Sequence, residues 1–121
     1  MYIRFVIGSE SDSPTLQSGL FTEISYLKKK GLLEPYQVNF VNQTLDFFNT
    51  KLPCPPFKKK SWPDSAISWF KDTATDYIDK MRDLKVILEE NNCIVRVIIT
   101  DKPGMILYED EYQIVAQSRL Y

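Results

Sequence analysis

The chain has 121 residues, with 15 basic and 16 acidic side chains, a net charge of −1 and 44% hydrophobic residues. That is the size of one domain with one core, and the balanced charge leaves no electrostatic footprint for nucleic acid or an anionic membrane surface. Histidine is absent, which removes imidazole acid–base catalysis, Ser–His and Cys–His nucleophiles, and imidazole metal sites.

No apolar run approaches the roughly 20 residues of a membrane span. The opening "MYIRFVIGSE" is a poor secretion signal, because its apolar stretch is short, interrupted by Arg4 and followed by acids. A cytoplasmic location is expected, and in that compartment Cys54 and Cys93 stay reduced.

Residues 2–7, "YIRFVI", alternate as a strand, with Ile3, Phe5 and Ile7 on one face and Tyr2, Arg4 and Val6 on the other. Ser13 before Pro14 reads as a helix start, a hydroxyl cap ahead of a proline at the first helical position. The first helix is predicted over 14–30, with Leu16, Leu20, Ile24 and Leu27 inward and Gly31 closing it. A second helix is predicted from Pro35 to Leu52 on the spacing of Val38, Val41, Leu45, Phe48 and Leu52. The short connection makes the pair an antiparallel hairpin. Prolines then make 53–63 an irregular loop.

A third, long helix is predicted over 64–91, since Ile67, Phe70, Ala74, Tyr77, Met81, Leu84 and Leu88 fall at alternating three and four. "CIVRVIIT", 93–100, alternates like the first strand. Pro103 and Gly104 suit a turn, and two short strands follow at 105–108 and 112–117.

The order predicts one α+β domain over residues 1–121: three helices packed on one face of a four-stranded mixed sheet (β-α-α-α-β-β-β). The first strand is expected to run parallel to the second. The opposite sheet face carries Arg4 and Arg96 beside Tyr2, Val6, Ile94 and Ile98. It is too apolar for water, so a protein partner or a second copy is expected to cover it.

Four stretches are candidate sites. In "YEDEY", Glu109, Asp110 and Glu111 between Tyr108 and Tyr112 read as a water-facing hairpin turn or as a polar interaction site. No calcium-type loop is present, and neither a metal nor a cofactor is expected. In "GSESDSP", Ser9, Ser11, Asp12 and Ser13 sit between a strand and a helix start, where backbone N–H groups and hydroxyls bind phosphate. In "PFKKKSW", Lys58–Lys60 between aromatics resemble a weak single-strand nucleic-acid platform; in a slightly acidic chain nucleic acid is an unfavoured partner. In "SWFKDTATDYI", Trp69 flanks the buried stripe of the predicted helix, with Lys71 and Asp72 on its outer side.

Gly8, Ser9, Ser11 and Asp12 are similar to the opening of the class I purine-biosynthesis carboxyaminoimidazole mutases, which carry a strand, G-S-x-S-D and a helix. That family's later glycine-rich and histidine-bearing segments have no counterpart here. Across more of the chain, Gly19–Phe21, "SWFKDTATDYI", Lys102–Gly104 and "YEDEYQIVA" resemble a family of small bacterial proteins of unknown function. That resemblance implies a free-standing soluble domain and carries over no catalytic residues. It also suggests that the polar stretches around Trp69–Asp72 and Tyr108–Gln113 are more than filler, and the two are expected to approach each other so that Lys71 meets one of the acids.

The leading functional reading is a non-enzymatic interaction or regulatory protein. It would act through Arg4 and Arg96 on the open sheet face, or through the hairpin with Trp69, Lys71 and Asp72. The alternatives are a small-molecule or phosphate-ester binder using the Gly8–Ser13 loop and a single-strand binder using Lys58–Lys60.

Overall fold

The computed structural model of the chain describes residues 1–8, 18–56, 62 and 66–117. β1 (Tyr2–Ile7) forms where the alternation predicts it, with Ile3 and Phe5 in the main core. A two-residue strand, β2 (Ser18–Gly19), pairs with Val6 and Ile7 and leads directly into α1 (Leu20–Lys29). The predicted start at Pro14 is therefore corrected. Sheet pairing holds Ser18–Gly19 extended, and Gly19 caps the helix instead. Leu20, Ile24 and Leu27 are buried, as the spacing requires.

Gly31, at φ 68°, closes α1. The Leu32 N–H donates to the Leu27 carbonyl at 3.0 Å and Gly31 N–H to Lys28 at 3.2 Å, the double closure that a left-handed residue after a helix allows. α2 (Pro35–Lys51) matches its prediction within one residue. The two helices run as the expected antiparallel hairpin: Phe21 meets Phe48 with ring centroids 5.1 Å apart, and Lys28 Nζ donates to Asn42. Gln37, buried near the start of α2, donates to Glu90 at the end of the third helix at 2.8 Å.

The long helix predicted over 64–91 is corrected to a strand and a shorter helix, β3 (Ala66–Lys71) and α3 (Thr75–Glu90). "AISWFK" carries Ile67 and Phe70 at helical spacing but also alternates. Pairing with strands on both sides decides in favour of the strand. Downstream the seam holds: Tyr77, Met81, Leu84 and Leu88 are buried against the sheet and the other helices. Asn92, at φ 65°, closes α3 as Gly31 closes α1, with Cys93 N–H donating to Leu88 at 3.0 Å.

β4 (Val95–Thr100), β5 (Met105–Glu109) and β6 (Gln113–Gln117) follow. The class is α+β, but among the described residues the sheet is six-stranded and wholly antiparallel rather than four-stranded and mixed. β4 pairs β1 from Tyr2 to Ile7 along one edge; the other edge takes β3 at Tyr2 and Ile3 and β2 at Val6 and Ile7. β6 and then β5 follow β3. β1 is thus central, and it is antiparallel to β4. The parallel arrangement assumed that no strand intervened between the first strand and the meander, whereas β3 lies there in sequence.

Candidate functional site

The hairpin between β5 and β6 is built around Asp110. Its Oδ1 accepts from the backbone N–H of Tyr112 at 2.8 Å and of Gln113 at 3.0 Å. Its Oδ2 accepts from the Tyr108 hydroxyl at 2.8 Å and from Gln113 Nε2 at 3.1 Å. The Asp110 N–H in turn donates to the Gln113 carbonyl. Partial burial pushes this carboxyl up, but the donated hydrogen bonds outweigh it and hold the group below the usual carboxylate range. The Tyr108 hydroxyl is pushed up by the same hydrogen bond, because deprotonation would remove the donor and leave a phenolate beside a carboxylate. Asp110 is therefore committed to the turn and is neither purely water-facing nor free to hold a ligand.

The neighbouring acids differ. Glu109 ends β5, opposite Ile114 of β6, and pairs with Lys71 of β3 at 2.5 Å. The predicted approach of the two polar stretches is thus present in the fold. Glu111 is exposed. Asp72 lies 3.4 Å from the Met1 amino group, and its N–H donates to the Met1 carbonyl. Gln113 reaches from the hairpin to the Pro53 carbonyl after α2. Ring contacts from Tyr112 to Tyr77 and from Tyr77 to Phe48 and Phe70 carry this end of the sheet into the helix layer.

On the face away from the helices, the register sets Arg4 opposite Ile98 and Arg96 opposite Val6. Loss of hydration lowers the Arg4 pKa. Trp69 stands opposite Ile114 on this face and packs with Ile114 and Ala116, flanked by Tyr2, Ile67 and Ile98. Trp69, predicted at the edge of a helix, lies instead in the sheet. The expected bare face is corrected as well, since Val6 and Ile114 are 0% exposed and Trp69 only 9%. Trp69, Ile114 and Ala116 form a second hydrophobic cluster in the middle of this surface.

Within the sheet, the exposed apolar side chains lie on or beside the edge strands β4 and β5. Ile94 is 67% and Ile99 55% exposed on or beside β4, while Met105 and Ile106 are exposed on β5. β4 and β5 are unlike each other as edges. β5 follows Pro103 and carries an irregularity between Ile106 and Tyr108 that breaks its regular hydrogen bonding. β4 pairs β1 without a break. Ile94 turns its carbonyl to β1, where Gly8 N–H donates to it at 3.4 Å. Backbone alternation then turns the N–H and C=O groups of Val95, Val97 and Ile99 to the outer edge. Among the described residues no strand pairs that edge.

The edge was missed in the sequence because its position depends on strand order. One signal was present: "VRVIIT" is β-branched, has a single charge and lacks proline.

Ser9, Ser11, Asp12, Ser13 and Lys58–Lys60 lie outside the described residues. Among the described residues no group of three or more Cys, Asp or Glu converges as a metal ion requires, and no helix is long and apolar enough to cross a membrane. Cys54 and Cys93 are free thiols. A surface groove lined by Thr22, Ser25, Tyr26, Lys28, Lys29 and Leu45 is open to solvent. Comparison with models of protein families, with curated proteins and with solved structures finds no match.

Proposed function

We propose that the chain is a non-enzymatic interaction protein that binds an extended strand along the outer edge of β4. The observation that supports this reading is the edge itself: Val95, Val97 and Ile99 present backbone donors and acceptors outward, with Ile94 and Ile99 exposed beside them. An edge that is unpaired among the described residues, regular and apolar is a template for another strand, and natural sheets otherwise blunt such edges with lysine, proline or bulges. The acidic hairpin is the weaker surface, because Asp110 spends its lone pairs within the turn and Glu109 is paired with Lys71. The sheet face is weaker too, since its centre is already buried.

Peptide selection tests the reading. A displayed library is panned on the wild-type chain and counter-selected on Val97→Pro, which removes an outward N–H at a position where an edge strand tolerates proline. Selected peptides are expected to alternate apolar and polar residues and to slow amide exchange at Val95, Val97 and Ile99. Peptides that bind both proteins equally, or that leave those amides unchanged, would remove the reading.

A further inference from the structure

We infer that the strand completing the β4 edge belongs to a second copy of this chain, paired antiparallel about a two-fold axis through Val97. This rests on the edge reading above and names its partner.

The strand is nearly self-complementary. In a continuous antiparallel sheet, paired residues share a face, so outward-facing Val95, Val97 and Ile99 can pair only with the same set. Centred on Val97, the set is fully used. Val97 meets the second copy's Val97, and Val95 and Ile99 meet each other twice. Exposed Ile94 then comes opposite Thr100, and Arg96 comes opposite Ile98. Centring on Arg96 would set two arginines face to face, which is unfavourable in cross-strand pairs. Centring on Ile98 would pair Val95 with Asp101, beyond the end of β4. The Val97 register alone keeps all outward groups within the strand and avoids opposing like charges.

Two further features favour a second copy. The net charge of −1 imposes no long-range repulsion between copies. β5, at the far end of the strand order, is interrupted between Ile106 and Tyr108 and preceded by Pro103. Pairing therefore closes at a dimer with two-fold symmetry, without continuing into a filament.

Sedimentation across a concentration series, with residue-resolved amide exchange on the same samples, tests the inference. The expected result is a monomer–dimer equilibrium in which the Val95, Val97 and Ile99 amides slow by at least about tenfold as dimer forms. Ile99→Lys, at an exposed position, is expected to give a folded monomer, and Val97→Pro the same. A dimer whose three edge amides stay fast would overturn the inference by placing the contact elsewhere. A monomer at every concentration also overturns it. If selected peptides still protect the edge amides of that monomer, the edge reading stands with a different partner. If nothing protects them, both fall.

Discussion

Lys71 of β3 and Glu109 of β5 meet at 2.5 Å across the intervening β6, with 23% and 52% of their side chains exposed. The contact bridges the sheet where the β5–β6 hairpin turns. Its exposure bounds its energy: water screens the pair, and two long side chains lose freedom to hold it. A double-mutant cycle with Lys71→Met and Glu109→Gln is expected to give a coupling below about 1 kcal/mol, declining as salt is raised. A coupling of several kcal/mol, or one insensitive to salt, would mean that the pair is shielded from water.

Asp110 is the stronger determinant of the same hairpin. Asp110→Ala strands two backbone N–H groups, the Tyr108 hydroxyl and an amide hydrogen of Gln113. A loss of about 1–3 kcal/mol is expected by denaturant unfolding. The carboxyl sits below its ordinary range in the folded chain. Its contribution is therefore present above the unfolded pKa and disappears as pH falls through the folded value. Asp110→Asn can keep the Oδ1 contacts but cannot titrate. The difference in stability between wild type and this variant should shrink as the solution is acidified below the carboxylate range.

What could be read from the sequence divides by the range of the interaction. α2 is set locally by Pro35 and by the spacing of Val41 and Phe48, and it matches almost to the residue. β1 and β4 alternate cleanly and were legible for the same reason. β3 was not, because Ile67, Phe70, Ala74 and Tyr77 continue a helical stripe through it; only pairing with β1 and β6 shows that Trp69 belongs to a strand. Strand order is longer-range still. Without it, the apolar alternation of residues 94–98 pointed to a bare face, while the exposed feature is an edge. The sequence anticipates that Lys71 meets one of the three acids but not that the acid is Glu109, and the inward use of Asp110 depends on how tightly the turn closes.

The two helix ends offer a backbone test. Gly31 and Asn92 take φ of 68° and 65° at equivalent positions after α1 and α3. A Cβ at Gly31 would meet no atom within 4 Å, so Gly31→Ala carries only the left-handed backbone penalty. That penalty is about 1 kcal/mol. Asn92→Gly relieves the same strain and should stabilise by roughly 0.5 kcal/mol, less than a full penalty because asparagine tolerates this conformation. Both changes should move the urea midpoint in opposite directions at constant slope. A changed slope would indicate an altered unfolded or native ensemble instead.

The two thiols should separate by reactivity. Cys54 is exposed; Cys93 is partly buried, with Sγ 3.8 Å from Glu23 Oε1. Burial pushes the Cys93 thiol up, and the Glu23 carboxylate adds to it by disfavouring a thiolate alongside. Alkylation requires the thiolate, so iodoacetamide should label Cys54 first at neutral pH and reach Cys93 only in more alkaline solution. Glu23→Gln removes the neighbouring charge and leaves the burial. The labelling profile of Cys93 should then move part of the way to lower pH without becoming that of an exposed thiol. Equal labelling rates at both cysteines across the range, followed by mass spectrometry of the digested protein, would contradict the environment assigned to Cys93.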